Sequence, residues 1–390
     1  MRRARLLLTA TLVLSLLASA CASGGTGDTG RAESPPAAVS PSPSAGASAG
    51  NGNASTPGPS ETVSPSTKPY EVIAAELRIP WSIAIAGDTV YMTEREGAIV
   101  KVQDGRTTRE SVRLTESVLH KGEGGLLGLL LAPDFAESGL AYAYHTYEQR
   151  GRTANRIVLL RKEGAEWAEQ RAILEDIPGD TYHNGGRLAF GPDGMLYATT
   201  GDAEERALSQ DKSSLAGKIL RMTPNGDIPA DNPIKDSYVY SYGHRNPQGL
   251  AWTSSGEMYS TEHGPSGNPG GHDEVNRIEP GLNYGWPSII GDAAQEGMVT
   301  PLYHTGEEAI APSGTIIDEQ GRLLIAALRG EAIYRYTPET GKMEVLRQGE
   351  GRVRDIQLVD GRLYFITNNT DGRGQPTSDD DRLIAIPYPS

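Results

Sequence analysis

Only one cysteine, Cys21, occurs among the 390 residues, so no disulfide can form within the chain. Positive charge is also scarce: 36 Lys and Arg face 50 Asp and Glu, a formal net charge of −14 at pH 7. That balance argues against nucleic acid as a partner, whose phosphates would be repelled. Long amphipathic helical stretches are missing; "RAILEDI" comes nearest and is short. EF-hand spacing, an HExxH zinc motif and a CxxCH haem-attachment motif are absent as well. The one long apolar run is N-terminal and too short to span a bilayer comfortably.

That run belongs to "MRRARLLLTATLVLSLLASAC", residues 1–21, with a basic start and small residues before the cysteine. The pattern is an export signal, removed in the mature protein. Cys21 after Leu17-Ala18-Ser19-Ala20 resembles a bacterial lipobox, in which the cysteine becomes the lipidated first residue. Ala18 stands where leucine is more usual, so ordinary signal cleavage nearby is the alternative. The expectation is an exported lipoprotein, tethered to a membrane on its extracytoplasmic face (periplasmic or cell surface) without spanning it. Residues 22–67 are dominated by Ser, Pro, Gly, Ala and Thr and read as a disordered tether. The folded part is expected at 68–390.

Within 68–390 one phrase recurs: apolar alternation, a polar Gly turn, then a second alternating run. Its copies are "WSIAIAGDTVYMTE", "GLLGLLLAPDFAESGLAYAYHT", "GRLAFGPDGMLYATTGD", "GLAWTSSGEMYSTEHG", "SGTIIDEQGRLLIAAL" and "IQLVDGRLYFITN". The matched position after the turn falls at Tyr91, Tyr142, Tyr197, Tyr259, Leu324 and Tyr364. Third strands follow at "GAIVKV", "RIVLLR", "GKILRM", "DEVNRI", "EAIYRY" and "DRLIAI". Period-two alternation bounded by Gly, Asp and Pro is strand chemistry. Six such units predict an all-β fold, a six-bladed β-propeller of four-stranded antiparallel blades around a central channel. A β-sandwich array or two separate barrels would carry the same alternation.

Loops of a propeller converge at the channel mouths, so polar residues that interrupt the strand pattern mark candidate sites. His183 in "YHNGG" stands at a strand entrance, either as a hydrogen-bonded structural residue or as a proton carrier near neutrality. The glycines behind it would leave room for a flat ligand. In "YGHRNPQGL", Arg245 offers a planar fork of donors for an anion, and Asn246 and Gln248 add amides. Residues 261–287, "TEHGPSGNPGGHDEVNRIEPGLNYGWP", are too rich in Gly, Pro, Asn and Asp to be strand, and such turns expose carbonyls to hard cations such as Ca²⁺. His263 and His272 could suggest zinc, but no Cys or HExxH partner supports it. Arg329, Arg352 and Arg354 come from neighbouring repeats, the last two alternating onto one face of an extended segment. Gathered at one mouth they call for an anion with several carboxylates; spread over separate edges they would be solvated.

At these places the sequence resembles the soluble quinoprotein sugar dehydrogenases of the glucose/sorbosone dehydrogenase family, and the aldose sugar dehydrogenase branch more than the glucose-specific one. The motifs "GEGGLLGLLLAPDF", "HNGGRLAFGPDG", "GHRNPQGLAW", "EHGPSGNPGGHDE", "NYGWP", "APSG", "LRGEAIYRY" and "RVRD" occur in the family's order across all the repeats. The resemblance implies pyrroloquinoline quinone (PQQ) and Ca²⁺ as cofactors and oxidation of aldoses at C1 to lactones. Residue by residue, His183 matches the general base for the C1 hydroxyl proton. Arg245 matches a cofactor contact that also stabilises negative charge. Glu123, Asn246, Arg329, Arg352 and Arg354 match further PQQ contacts, Glu123 standing where relatives have glutamine. Gly264 and Pro265 match carbonyl ligands of the PQQ-bound Ca²⁺, and Glu274 with the Tyr284 carbonyl matches a second, structural calcium site.

Three departures bear on this resemblance. Tyr182 replaces an acidic residue that glucose-specific relatives place before the histidine, leaving Asp202 in "TTGD" as a substitute orienter of His183. Arg329 replaces a common lysine. "TGEEAIAPSG" lacks a tryptophan before "APS" and carries Glu307 and Glu308, which suggests an open, less selective sugar pocket. Without a haem motif, electrons must pass to an external acceptor. A calcium-dependent propeller lactonase and a non-catalytic glycan- or protein-binding propeller are the competing readings.

Overall fold

A computed structural model describes residues 70–267 and 270–388. The export signal, Cys21 and the tether at 22–67 lie outside the described residues. Among those described, regular structure is almost all strand; helix is confined to Phe135–Ser138 and the 3-10 turn Arg206–Ser209. The fold is an all-β propeller. "RAILEDI" is extended too, within the strand Glu166–Pro178.

Every matched position lies in the second strand of an antiparallel run of four. In the first run the strands Pro80–Ala86, Thr89–Glu94, Ala98–Gln103 and Arg106–Arg113 pair in that order. Leu188–Phe190, Leu196–Thr200, Lys218–Met222 and Val239–Tyr242 do the same, as do Pro247–Trp252, Met258–Glu262, Glu274–Ile278 and Tyr303–His304. All six third strands foreseen from the sequence are present. In four of the runs the matched residue pairs directly with the basic residue of the third strand: Tyr91 with Lys101, Tyr197 with Arg221, Tyr259 with Arg277 and Leu324 with Arg335.

Two features depart from separate four-stranded sheets. Ser111–Arg113 pairs in parallel with Glu166–Ala168, so the runs ending in Arg106–Arg113 and Glu166–Pro178 join by their outer edges into one eight-stranded sheet. The last sheet takes its outer strand from the other end of the chain, Glu71–Ala74 pairing with Leu383–Pro387.

Packing between sheets follows from the alternation. The second strands Thr89–Glu94, Leu196–Thr200, Met258–Glu262 and Leu323–Ala327 are buried along their whole length, because each is covered on both faces. Leu324 and Ala326 join a cluster with Phe365 and Ile384, whereas Leu323 and Ile325 join one with Tyr259 and Val275. All six matched positions face the sheet that follows: Tyr91 joins a cluster with Leu126, Tyr142 with Leu196, Tyr197 with Met258, Tyr259 with Leu323, Leu324 with Phe365 and Tyr364 with Met92. The last of these returns to the first sheet and closes the ring. Loops from successive sheets are thereby carried to common ends of a central channel. Phe365 is fully buried in one interface. Phe365→Ala is therefore expected to lower unfolding stability by about 3–5 kcal/mol in urea titrations, since truncating a buried phenylalanine leaves a cavity.

Candidate active site

At one end of the channel the loops enclose a cavity of about 590 Å³, lined by Glu123, His183, Arg245, His263, Gly264, Pro265, Asp273, Glu307, Arg329, Arg352 and Arg373 among others. The volume lies within the roughly 300–1,000 Å³ usual for small-molecule sites. Eight of the residues singled out in the sequence meet here: Glu123, His183, Arg245, Gly264, Pro265, Glu307, Arg329 and Arg352.

His183 occupies the left-handed region, φ 58°, a costly conformation for a residue with a side chain. Surrounding bonds hold it there. Its N–H donates to Glu123 Oε2 at 3.2 Å, and its carbonyl accepts the Ala203 N–H at 3.3 Å. Gly201 packs so close that a Cβ there would come within 1.8 Å of the His183 carbonyl oxygen. The His183 Nδ1 lies 2.7 Å from Asp202 Oδ1, within reach of the residue that the sequence offered as a substitute orienter. With Nδ1–H donated to that carboxylate, the lone pair stays on Nε2.

Asp202 is fully buried, and burial pushes its carboxyl up. The hydrogen bond and charge of His183, the indole N–H of Trp286 at 2.8 Å and the charge of Arg245 outweigh that and hold it below its ordinary value. Burial likewise works against the Glu123 charge, but His263, Arg373 and His183 bring its carboxyl down to about 2. Arg373 Nη1 donates to Glu123 Oε1 at 2.8 Å.

The glycines after His183 serve a different purpose from the one their sequence suggests. Gly185 and Gly186 do not line the cavity; a Cβ on Gly185 would meet the Thr199 carbonyl oxygen at 2.6 Å, and one on Gly186 the Leu127 side chain at 2.8 Å. They let the loop press against the adjacent strand and sheet. Gly264 does line the cavity, and it too packs on backbone: a Cβ there would sit 2.0 Å from the Gly271 carbonyl oxygen.

Arg245 is buried, its N–H bonded to Glu262 Oε1 and its Nη1 donating to the His263 carbonyl at 3.2 Å. Asn246 lies behind the wall, accepting the Gly185 N–H at 3.0 Å, with its buried Nδ2 unpartnered among the described residues. Arg352 is answered by Asp371 at 2.9 Å. Arg354 is not a lining residue; Gln248 Oε1 accepts from it at 2.7 Å and Asn368 Oδ1 at 3.3 Å, while its buried Nε has no partner among the described residues. Burial first, then the Arg352 and Arg95 charges against the pull of Asp371, bring its pKa down to about 9, still cationic at neutrality. Arg329 is exposed on the cavity wall.

Glu274 and Tyr284 do not line the cavity. Glu274 accepts from Asn276 at 2.9 Å, and burial together with Glu262 and Asp273 pushes its carboxyl up to about 8. Tyr284 stacks on His244 at 4.8 Å and donates to the Arg277 carbonyl at 2.7 Å. Among the described residues no group of three or more His, Cys, Asp or Glu side chains is placed to hold a metal ion. A cation at the cavity would therefore depend on backbone carbonyls such as those of residues 264 and 265.

The glucose / sorbosone dehydrogenase family matches residues 77–376. The chain belongs to that family. Aldose sugar dehydrogenase YliI of Escherichia coli is 31% identical over 346 residues, spanning 79% of this chain and 92% of that protein. Quinoprotein glucose dehydrogenase B of Acinetobacter calcoaceticus is 30% identical over 267 residues, 60% of this chain and 55% of that protein. The PQQ-bound aldose sugar dehydrogenase of Streptomyces coelicolor has a similar solved structure, with 37% identity and a TM-score of 0.75 over 83% of this chain and 99% of that one.

For this member of the glucose / sorbosone dehydrogenase family, sequence reasoning missed Asp273 and Arg373, and weighed His263 only as a zinc ligand that lacked partners. Asp273 binds the Gly264 N–H at 2.8 Å and the Ile310 and Ala311 N–H groups at 2.7 Å each, tying two loops of the wall together. His263 has an unpartnered buried Nε2 among the described residues; burial, helped by Arg354 and Arg245 and opposed by Asp273 and Glu123, pushes its imidazole down to about 4.

The lowered Glu123 carboxyl has a consequence for acid stability. A depressed folded-state pKa contributes stability above the unfolded value of about 4.5, and that contribution is lost as pH falls toward about 2. The stability gap between wild type and Glu123→Gln, read by urea unfolding, is expected to hold from pH 7 to about 5 and to narrow as pH drops toward 2. A gap unchanged down to that pH would contradict the assignment.

Proposed function

We propose that this protein is a PQQ-dependent aldose dehydrogenase that oxidises sugars at C1 to lactones and passes the electrons to an external acceptor. The observation that carries the reading is the His183–Asp202 pair, 2.7 Å apart, on the same cavity as Arg245 and Arg329. Family membership and the PQQ-bound relative support it. So does the chemistry of the wall: Arg245, Arg329 and Arg354 have no carboxylate partner at salt-bridge distance among the described residues, and orphaned nitrogens of Arg354 and Asn246 lie behind it. Such a donor set fits a polycarboxylate quinone.

In this reading Glu123, Arg245, Arg329 and Arg352 on the wall, with Asn246 and Arg354 behind it, would hold PQQ, and the Gly264 and Pro265 carbonyls would hold its Ca²⁺. Glu274 and the Tyr284 carbonyl would hold a second, structural calcium. When bound, PQQ supplies the two-electron acceptor for the C1 hydride and Ca²⁺ supplies Lewis acidity. His183 receives the C1 hydroxyl proton on Nε2, and the Asp202 carboxylate stabilises the resulting imidazolium through Nδ1–H, as an aspartate does for the histidine of a hydrolase triad. The buried Arg245 guanidinium supplies positive charge where negative charge develops. Glu307 on the wall, without a tryptophan before Pro312, makes an open pocket for several aldoses. We further read the ring of sheets as six blades, the eight-stranded sheet counting as two, and the protein as an exported lipoprotein anchored through Cys21.

Purified protein given PQQ, Ca²⁺, an aldose and an artificial electron acceptor is expected to reduce the dye with saturable dependence on PQQ and to lose that activity to a chelator. A lactonase or a non-catalytic binding propeller predicts no PQQ-dependent reduction. His183→Ala is expected to lower kcat by about 10²–10⁴-fold, the usual contribution of a general base. A steady-state panel is expected to show several aldoses oxidised; glucose alone as substrate would reject the open pocket.

A further inference from the structure

Trp286 belongs to the "NYGWP" stretch, and the proposed reaction assigns its side chain no task. Its side chain is buried, and its indole N–H donates to Asp202 Oδ2 at 2.8 Å. The other oxygen, Oδ1, is taken by His183 Nδ1 at 2.7 Å and the Glu204 N–H at 3.0 Å. The Arg245 guanidinium lies over the same indole, 5.4 Å from the ring centroid, and that of Arg206 lies at 5.3 Å. The backbone of residue 286 is itself anchored beside Arg245: its N–H donates to the Gly243 carbonyl at 2.9 Å, and its carbonyl accepts Gln210 Nε2 at 2.6 Å.

We infer that Trp286 is a positioning residue for two groups at once: its N–H pins the carboxylate that orients His183, and its ring seats the Arg245 guanidinium. A carboxylate bound through one oxygen only is free to turn about its Cβ–Cγ bond. With Oδ2 held by the indole, Oδ1 stays on the imidazole and the Nδ1–H tautomer is fixed. Asp202 is fully buried, so loss of the indole donor strands a charged oxygen that no solvent reaches. The aromatic face offers buried Arg245 an attraction that leaves its N–H groups available to the cavity. This inference rests on the roles given to His183 and Arg245 above.

The test separates the N–H from the ring. Replacing Trp286 with β-(3-benzothienyl)alanine keeps ring and volume and removes only the donor; Trp286→Phe is its encodable counterpart. In apoprotein labelled with ¹⁵N-histidine, wild type is expected to show His183 as a single Nδ1–H tautomer, and both variants a mixture of tautomers. With PQQ, Ca²⁺ and an aldose, kcat is expected to fall about 10–100-fold, as for other partners that orient a reacting group, with KM and PQQ affinity changed by less than about twofold. Joined to Asp202→Asn, either variant is expected to add nothing further. Trp286→Leu, which also removes the ring, is expected to weaken PQQ binding. An unchanged tautomer and kcat in the benzothienyl variant, or losses that add to those of Asp202→Asn, would overturn the inference. Should wild type show no PQQ-dependent activity, the proposed reaction fails, and the tautomer comparison in apoprotein still decides the positioning role.

Discussion

Each sheet is covered on both faces, and alternate side chains of its second strand pack against opposite neighbours. That constraint explains why one position of the repeat is so often tyrosine. A side chain reaching the next sheet must be large and apolar along its body, and a hydroxyl at its tip still needs a partner. Tyr142 and Tyr197 show the arrangement, buried among apolar side chains with their hydroxyls donating to the Pro224 carbonyl and the Asp193 carboxylate. Because every sheet leans on the next, the last must lean on the first. The strand Glu71–Ala74 then fastens the two ends of the folded region within one sheet.

Ring closure determines which loops meet. Glu123, His183, Arg245, Asp273, Arg329, Arg352 and Arg373 are far apart in sequence, yet all face one cavity. The charges there are partly removed from water, and the more buried carboxylates are matched by donors: Asp202 by His183 and Trp286, Glu123 by Arg373 and the His183 N–H, Asp371 by Arg352. Leaving such groups unmatched would cost several kcal/mol apiece. Against that background the unmatched groups are informative. Arg245, Arg329 and Arg354 are cations without carboxylate partners among the described residues, and they are the ones the proposed tricarboxylate cofactor would answer.

Much of this architecture was legible in the sequence because its cause is local. Period-two alternation and Gly-containing turns record strand faces directly, so the second and third strands of every unit could be read. The outer strands could not. Arg106–Arg113 is mostly exposed and Tyr303–His304 is only two residues long, so neither carries a clear apolar pattern. The parallel joint between Ser111–Arg113 and Glu166–Ala168 depends on which edges the fold brings side by side, and no single segment encodes that. At the site, polar residues that broke the strand pattern were found. Arg373 was missed because it lies in a polar stretch, "NNTDGRGQPTSDDD", where an arginine looks solvated. The error over Gly185 and Gly186 is of the same kind: a glycine pair shows that something comes close, and only the structure shows that it is Thr199 and Leu127.

The left-handed backbone of His183 connects the fold to the proposed chemistry. A residue in this region reverts to a more relaxed conformation unless several contacts oppose it. Here they come from two loops: Glu123, ahead of the strand Leu126–Leu131, binds its N–H, while Gly201, Asp202 and Ala203, directly after Leu196–Thr200, leave no space behind it, hold its imidazole and bind its carbonyl. None of these contacts would hold alone, since each partner lies on a loop that could yield. Their partners are tied in turn, Glu123 to Arg373 and Asp202 to both Trp286 and the Arg245 carbonyl. Displacing the imidazole therefore requires several loops to move together, and those loops are fixed to sheets that are themselves held in the ring. A base kept in place in this way has its reorganisation largely settled by folding, which is the condition under which a single histidine is effective in proton transfer.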